Sequence, residues 1–293
     1  MKHAFLIIAH NNPFTLKTLV TLLDYKDNDL FIHIDKKTNI EVFKNIKCNY
    51  SKLIFLSNRK DVRWGDFSQI ECEIELYQYA YNYGKYEYYH LLSGVDLPIK
   101  TNKYIHDFFS KNKGKEFIGI NNSYTVQKDI YNKALLYHIL TRYYKNYKLA
   151  LIIDNAFIKM QSLFKFHRHK FYSCYQKGAN WASLSEECVS YLLNKRNEIY
   201  KNFKHTKCAD EIYKQTIIIN SHFKENIYSL DDEYISNQRE IDWQRGTPYE
   251  YKETDFNILK NSSKIFARKF SDNNKKIIML IKEDLYGNKG KEQ

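Results

Sequence analysis

The feature that most constrains this chain is an alternation of short apolar runs and helical patterns in its first quarter. Residues 4–9 are apolar throughout, as expected of a parallel strand that is buried on both faces. The pair Asn12-Pro13 follows as a predicted helix cap, and leucines then recur at helical spacing. The chain is therefore predicted to begin with a strand that leads directly into a helix.

The same alternation continues beyond this first unit. We predict strands at residues 30–34, 53–56 and 88–92, and a helix at residues 67–83. A short strand at residues 181–184 and helices at residues 186–195 and 211–216 are predicted later in the chain. This pace is typical of an open α/β sheet, in which ligands bind beyond the carboxyl ends of the strands. The predicted fold class is α/β, with a Rossmann-like mixed sheet flanked by helices.

The formal charge of +12 is concentrated in the middle of the chain. Residues 121–175 contribute +7 of it, since they hold two acids, Asp129 and Asp154, and nine basic residues, namely Lys128, Lys133, Arg142, Lys145, Lys148, Lys159, Lys165, Arg168 and Lys170. Tyrosines such as Tyr124 are interleaved with them. This pattern suits an anionic membrane surface, a carbohydrate groove or RNA, although abundant Lys, Asn, Ile and Tyr also fit a composition bias. We predict a basic helical insertion at 121–175, on the acceptor or membrane side of one domain spanning 1–293.

The five cysteines are widely spaced and form no CxxC motif, which argues against a disulfide framework and a zinc site. No apolar stretch approaches the roughly 20 residues that span a bilayer, and no signal peptide is visible. We therefore expect a cytoplasmic protein, with peripheral contact to the inner face of the cell membrane as an open alternative.

Three carboxylates occupy positions suited to a ligand cleft. Asp35 ends the predicted second strand, where a carboxylate can bind a ribose or a uracil NH. Asp96 lies in a turn between Gly94 and Pro98 and could accept hydrogen bonds from sugar hydroxyls. Glu211 stands at a predicted helix start, where acidic residues are common, but it could also be the general base that an inverting transfer requires.

Two further segments bear on phosphate chemistry. Arg268 and Lys269 are adjacent cations that could neutralise a diphosphate leaving group without a metal ion. The residues Asp27-Asn28-Asp29 resemble the DxD that holds a metal in many glycosyltransferases. They precede a strand rather than follow one, so we interpret them as a turn.

Taken in order, eight segments resemble the core-2/I-branching β-1,6-N-acetylglucosaminyltransferase and peptide O-xylosyltransferase family, glycosyltransferase family 14. The segments are residues 6–10, 33–35, 63–68, 92–100, 178–181, 209–211, 242–248 and 266–270. The animal members have a membrane anchor and disulfides, which this chain lacks, so it resembles a bacterial member. Residues 121–175 match the family only loosely.

The resemblance implies a GT-A fold and an inverting, metal-independent transfer from a UDP-sugar, with GlcNAc or xylose favoured, to a glycan hydroxyl. Glu211 matches the catalytic base, and no metal or separate cofactor is implied. The matching donor-binding residues are Ala9, His10, Asp35, Arg63, Asp96, Arg268 and Lys269, and the acceptor-binding residues are Trp181 and Trp243. Arg245 and Lys252 remain alternatives for one further diphosphate contact.

The partners expected are a nucleotide sugar, a glycan or lipid-linked glycan acceptor of bacterial surface polysaccharide synthesis, and an anionic membrane surface. A nucleic-acid-binding module would explain the charge and the tyrosines, and a lectin-like protein would bind carbohydrate without turnover. The nucleic-acid-binding module does not explain carboxylates at the three cleft positions Asp35, Asp96 and Glu211, and turnover of a UDP-sugar would exclude the lectin. We therefore favour the enzyme and expect no nucleic-acid partner.

Overall fold

The structure is a computed structural model that describes residues 2–289, apart from the side chains of residues 124–128, 288 and 289. Its strands are β1 (His3–Ala9), β2 (Asn28–Ile34), β3 (Lys52–Phe55), β4 (Tyr88–Ser93), β5 (Asp96–Pro98), β6 (Ser183–Ser185), β7 (Arg239–Ile241) and β8 (Phe266–Arg268). Its α-helices are α1 (Pro13–Leu23), α2 (Ser68–Tyr83), α3 (Asn102–Lys111), α4 (Tyr124–Ala134), α5 (Lys148–Leu163), α6 (Glu186–Asn194), α7 (Arg196–Phe203), α8 (Tyr213–Ile219), α9 (Glu233–Asn237), α10 (Phe256–Asn261) and α11 (Lys275–Lys289).

The main sheet has the order β3-β2-β1-β4-β6. Its first four strands are parallel, and β6 runs antiparallel to β4 at the edge. A second sheet of order β5-β8-β7 lies beside it, with β5 antiparallel and β7 parallel to β8. The predicted mixed α/β architecture with a parallel-rich sheet between helices is confirmed, and it is consistent with a GT-A-like fold.

Both faces of the main sheet are covered, which explains why its strands are apolar at nearly every position. Alternate residues of β1 point to opposite faces, so Leu6 joins one apolar cluster while Phe5 and Ile7 join the other. The first cluster includes α2, α6 and α8, and the second includes α1, α11 and the second sheet. The sheet is thus the central layer between two cores.

The start of α1 differs from the prediction. Asn12 adopts a left-handed conformation and its side chain does not cap the helix. Asp272 does so instead, accepting hydrogen bonds from the backbone amides of Phe14 (3.0 Å) and Thr15 (2.9 Å). The Asn12 side chain accepts the Asp272 amide proton at 2.8 Å. The cap comes from the far end of the chain, where local sequence could not reveal it.

Residues 121–175 contain α4, α5 and a 3-10 turn at Thr141–Tyr143, so the segment is helical in part, as predicted. The side chains of Tyr124 and Lys128, which belong to the predicted basic and aromatic set, lie outside the described ones. Arg168 is buried and donates to the carbonyl of Ala134 and the hydroxyl of Thr206. It is therefore a structural residue and adds nothing to the charge of the surface.

The five cysteines are free thiols in this structure. In the described part of the chain, every helix is too short or too polar to cross a lipid bilayer.

Candidate active site

The carboxyl ends of β1, β2 and β4 meet at one edge of the main sheet, which brings together His10, Asp35 and Ser93. The amide of Asp35 donates to the carbonyl of Ala9 at 2.8 Å, and the Thr38 hydroxyl donates to the carbonyl of His10 at 2.9 Å. Ala9 is itself buried. The predicted donor residues Ala9, His10 and Asp35 therefore lie next to one another, with Ala9 positioned behind the other two.

Asp35 belongs to a chain of opposite charges along this edge. The ammonium of Lys37 lies 2.8 Å from the Asp35 carboxylate and also pairs with Asp61. Asp61 in turn binds Arg63 at 2.9 Å and Arg142 at 2.7 Å. Arg63, predicted to contact the nucleoside, is thus linked to Asp35 through two intermediate charges.

Arg59 fixes the backbone that follows β2. Its guanidinium donates to the carbonyls of Ile34 (3.0 Å), Asp35 (2.7 Å) and Thr38. Since a guanidinium offers five donors in a rigid plane, one side chain can hold several carbonyls in place. The loop that bears Asp35 is therefore pre-organised by a residue that sequence reasoning did not select.

The helical insertion reaches this edge as well. The Thr141 hydroxyl donates to Asp66 at 2.9 Å, which places the segment beside the loop that precedes α2. Partial burial lowers the pKa of His10; Asp35 opposes this, while Lys145 and other nearby cations reinforce it. Lys145 thus lies close enough to His10 to act on it electrostatically, so the insertion borders the predicted donor pocket.

Asp96 lies in the interior of the protein. It is only 2% exposed, and its carboxylate accepts from the Ser93 amide (2.8 Å) and from the Arg268 guanidinium (2.7 Å). The pairing of β5 with β8 places these two residues opposite each other, which draws Asp96 inward. In this structure the Asp96 carboxylate is therefore turned inward and orients Arg268, while a contact between Asp96 and a donor sugar stays a prediction.

Arg268 is held on its other side by an aromatic ring. Its guanidinium carbon lies 4.6 Å from the centroid of the Trp181 ring, a cation–π arrangement. The structure thus places Trp181, predicted on the acceptor side, against a predicted donor-side cation. Trp181 also lies just before β6 rather than within it, since the strand begins at Ser183 and not at residue 181.

The neighbouring cations are held by carboxylates. Lys269 pairs with Glu250 at 3.1 Å. Arg245 pairs with Asp255 (2.8 Å) and Asp242, and its guanidinium stacks 4.0 Å from the Tyr249 ring. The backbone links the two cations, because the amide of Lys269 donates to the carbonyl of Tyr249 at 3.3 Å. Of the two alternatives for a further diphosphate contact, Arg245 thus has a packed position beside the Lys269 backbone.

The residues Asp27-Asn28-Asp29 lie at the opposite edge of the sheet. Asn28 begins β2, and Asp29 is buried, accepting from the hydroxyl of Tyr86 at 2.7 Å. Across the described residues, no three His, Cys, Asp or Glu side chains form a cluster suited to a metal ion. The tripeptide is therefore a structural turn and strand start, remote from His10 and Asp35.

The sequence predicts Glu211 at the start of a helix, but in the structure this residue does not lie on an α-helix. It ends a 3-10 turn at Ala209–Glu211, and α8 begins only at Tyr213. The turn follows Cys208, which has a φ of +49°. This left-handed residue redirects the chain before the turn.

The Glu211 side chain is 38% exposed, so its carboxylate is accessible. The ammonium of Lys177 lies 3.3 Å from Oε2 of Glu211 and 3.1 Å from the carboxylate of Asp129 in α4. Partial burial lowers the pKa of Lys177, but the nearby charge of Glu211 and the contact with Asp129 outweigh this effect and raise it. Lys177 is therefore a fixed positive charge beside the predicted base.

A buried polar network lies on the interior side of the Glu211 turn. Glu73 accepts from Asn180 (2.6 Å), Tyr213 (2.8 Å) and Lys214, and both Glu73 and Lys214 are fully buried. Such a pair requires complete hydrogen bonding to offset its desolvation, which these contacts provide. The network anchors the start of α8 immediately after Glu211.

Asp210 borders the same network. It is buried and accepts from the Gln69 amide at 2.9 Å. Burial, followed by the nearby charges of Glu211 and Glu73, raises the pKa of Asp210. Of the two adjacent acids in this turn, Asp210 therefore faces the interior and Glu211 faces the accessible side.

The segment at 178–181 touches the Glu211 turn through its backbone. The amide of Gly178 donates to the carbonyl of Glu211 at 3.0 Å. A Cβ on Gly178 would lie 1.9 Å from the carbonyl oxygen of Gly119, so only glycine fits. Glu233 receives the next amide, that of Ala179, and adds a second carboxylate near Glu211.

Trp243, the other predicted acceptor residue, has an exposed ring. It lies beside Tyr234. Burial and the charge of Glu233 raise the pKa of the Tyr234 hydroxyl, and Trp243 and Glu211 also act on that pKa. Trp243 and Glu211 are therefore near neighbours of the same tyrosine. An exposed aromatic ring is suited to contact a sugar ring.

Sequence reasoning missed Lys177, Glu233, Arg59 and Lys37. Lys177 and Lys37 had a usable signal, since Lys177 immediately precedes the selected segment 178–181 and Lys37 follows Asp35 by two residues. Arg59 and Glu233 had none, because their contacts join segments that are distant in the chain.

The chain matches the sequence profile of the Core-2/I-Branching enzyme family over residues 3–263. It is 22% identical over 315 residues to Xylosyltransferase oxt of Drosophila pseudoobscura pseudoobscura, covering 97% of this chain and 33% of that protein. It is 20% identical over 314 residues to Xylosyltransferase 2 of Rattus norvegicus, covering 97% of this chain and 34% of that protein. The chain thus spans about a third of the length of these curated relatives.

These similarities confirm the predicted family and the glycosyltransferase class to which it belongs, while the predicted bacterial origin stays a prediction. The profile match extends over most of the described fold, from β1 through α10. The chain therefore belongs to the Core-2/I-Branching enzyme family.

Proposed function

We propose that this protein is an inverting, metal-independent glycosyltransferase that moves a sugar from a UDP-sugar to a hydroxyl of a glycan acceptor. The observation that supports this most is the role of residues 178–181 in joining two parts of the site. Gly178 binds the Glu211 turn through its amide, and Trp181 stacks on Arg268. One short segment thereby connects the candidate base to the candidate diphosphate cation.

In the proposed reaction, the Glu211 carboxylate accepts the proton of the acceptor hydroxyl as its oxygen attacks the anomeric carbon. The bond between that carbon and the β-phosphate oxygen breaks, and its electron pair leaves with UDP. Because attack and departure take place on opposite faces, the anomeric configuration is inverted. The exposed Glu211 carboxylate suits this step, since a general base must reach the proton it removes.

Negative charge develops on the departing diphosphate, and Arg268 and Lys269 are proposed to stabilise it. Arg268 is held by Asp96 and Trp181 before any ligand binds, so little reorganisation is needed. Lys269 would exchange its partner Glu250 for a phosphate oxygen. Two cations at this position supply the charge that a divalent metal provides in other transferases, which supports metal independence.

The nucleoside part of the donor is proposed to bind at the carboxyl ends of β1 and β2. Asp35 and His10 lie there, and Arg63 borders them through Asp61. Lys37 neutralises Asp35 in the unliganded arrangement and would have to share that carboxylate with a ribose hydroxyl or a uracil NH. Trp243, near Glu211, is proposed to contact the acceptor.

GlcNAc and xylose remain the favoured donor sugars, and the relatives named as xylosyltransferases support testing xylose early. We also propose that residues 1–293 form one catalytic domain, with 121–175 inserted on its acceptor or membrane side. The pairs Arg142–Asp61 and Lys177–Asp129 support this, because they join the insertion to both halves of the site. A role in bacterial surface polysaccharide synthesis stays a prediction.

The proposal is tested by UDP release from a panel of nucleotide sugars that includes UDP-GlcNAc and UDP-xylose, with a glycan acceptor and with EDTA present or absent. We expect one donor to be turned over equally well with EDTA. Complete loss of turnover on chelation, restored by a divalent cation, would contradict metal independence. Glycan binding without any donor turnover would identify a lectin instead.

A further inference from the structure

We propose that the outer face of α5, with the loop that follows it, is a docking surface for an anionic lipid bilayer. Half of the large apolar side chains that are exposed in the described residues lie between residues 139 and 171. They concentrate on α5 and on the loop at its end. This inference concerns a binding surface and does not depend on the proposed reaction.

The apolar residues of α5 form one continuous stripe. The inner face holds the three buried residues Ala150, Asp154 and Gln161. At 100° per residue, a separate band about 120° wide is made by Leu149, Ile152, Ile153, Met160 and Leu163 of the helix together with Phe164 directly after it. Ile152 is 63% exposed and Leu163 is 77% exposed. A soluble helix would normally turn such a stripe toward the core, so this one is left for another apolar phase.

The charges around the stripe indicate which apolar phase it contacts. Lys148 and Lys159 flank one side of the stripe, and Lys165 follows the helix. Two further exposed cations, Lys145 and Lys170, belong to the same stretch of chain. The one acid between residues 142 and 170, Asp154, is buried beneath the helix, where it binds His138 and the Ile139 amide. An apolar stripe bordered by cations and free of exposed acids complements an anionic headgroup layer over acyl chains.

The position of α5 determines where a bound bilayer would lie relative to the candidate site. The segment before the helix reaches the donor edge of the sheet, where Arg142 pairs with Asp61 and Thr141 binds Asp66. A bilayer against α5 would therefore lie beside the cleft that contains His10 and Asp35. This placement suits an acceptor that is itself held in the membrane.

The test measures co-sedimentation of the whole protein with phosphatidylglycerol–phosphatidylcholine vesicles and with pure phosphatidylcholine vesicles over a salt series. We expect binding to the anionic vesicles that weakens as salt increases. The double variant Ile152→Asp, Leu163→Asp should bind at least about tenfold more weakly, because both apolar contacts are lost. The matched control Ile258→Asp, at a residue 54% exposed on α10, should bind as the original protein does. Thermal unfolding checks that each variant folds.

Failure to bind anionic vesicles at low salt would overturn the proposal. Undiminished binding by the double variant, or an equal loss in Ile258→Asp, would also overturn it, because the stripe would then not enter the bilayer. Light scattering after size-exclusion chromatography tests whether a second copy of the chain covers the stripe instead. A dimer that the double variant dissociates, without vesicle binding, would assign the face to a second copy of the chain.

Discussion

The ammonium of Lys177 lies 3.3 Å from the carboxylate of Glu211, on the accessible side of the turn that bears this candidate base. The same ammonium contacts Asp129 of α4, so one lysine connects the base to the helical insertion. This ion pair restrains the Glu211 side chain, which must be held within reach of the proton it removes. Lys177 is therefore a candidate positioning residue for the base.

Replacing Lys177 with glutamine is expected to lower kcat for UDP release by about 10- to 100-fold, because the ion pair that restrains the candidate base is lost. The measurement is kcat and KM for UDP release. Lys195→Gln is the matched control, since Lys195 pairs with Glu198 on the surface. An unchanged kcat in the Lys177 variant would show that the ion pair does not position the base.

Lys269→Gln is expected to lower kcat by about 100-fold, because one cation that stabilises the leaving diphosphate is lost. Its stability should change little, since the Glu250 partner is itself partly exposed. Steady-state kinetics and thermal unfolding measure the two effects. Lys276→Gln removes a comparable surface pair with Glu253 and should leave both unchanged. A normal kcat for Lys269→Gln would remove this residue from the proposed leaving-group site.

Gly178→Ala is expected to lower both activity and the free energy of unfolding, the latter by about 1–3 kcal/mol. The added methyl group would meet the backbone oxygen of Gly119, which cannot move away as a flexible side chain could. Gly287→Ala provides the control, because a Cβ there meets no atom within 4 Å. Denaturant unfolding and UDP release report the two effects, and wild-type values for both would contradict the packing described.

His33 makes stability depend on pH. Burial lowers the pKa of His33 from 6.5 to about 4, and its neutral Nε2 accepts the Lys60 amide proton at 2.7 Å. Between these two pH values the unfolded chain binds more protons than the folded one. The free energy of unfolding therefore decreases as pH falls from 6.5 to 4, with about 3 kcal/mol due to this residue.

In His33→Gln, the amide oxygen can accept the same proton without titrating. Urea unfolding at both ends of that pH range should show a smaller decrease for the variant than for the original protein. Equal decreases in the two proteins would mean that His33 does not make this contribution.

The sequence predicts the sheet well because its signals are local. The apolar runs that form β1 and β2 are long, buried on both faces and followed by helix patterns. Contacts between distant segments were not predictable in this way: the cap of α1 comes from Asp272, and Asp96 is drawn inward by Arg268. The exposure of the α5 stripe was equally hidden, since the same pattern would also suit a buried helix face.

The candidate site follows the same division. Asp35, His10 and Glu211 could be selected from their positions after strands or in an ordered set of segments. Glu233 could not, because only the folded chain brings it near Glu211, whereas Lys177 had a signal in its place beside segment 178–181.

The most direct test of the account is turnover by Glu211→Gln. The variant keeps the size of the side chain but cannot accept the acceptor proton, so kcat should fall by about 100- to 10,000-fold while the dissociation constant of the UDP-sugar, measured by calorimetry, stays within about twofold. Glu225→Gln, at an exposed site, is the control and should remain fully active. Retention of more than about a tenth of the original kcat by Glu211→Gln would contradict its assignment as the base.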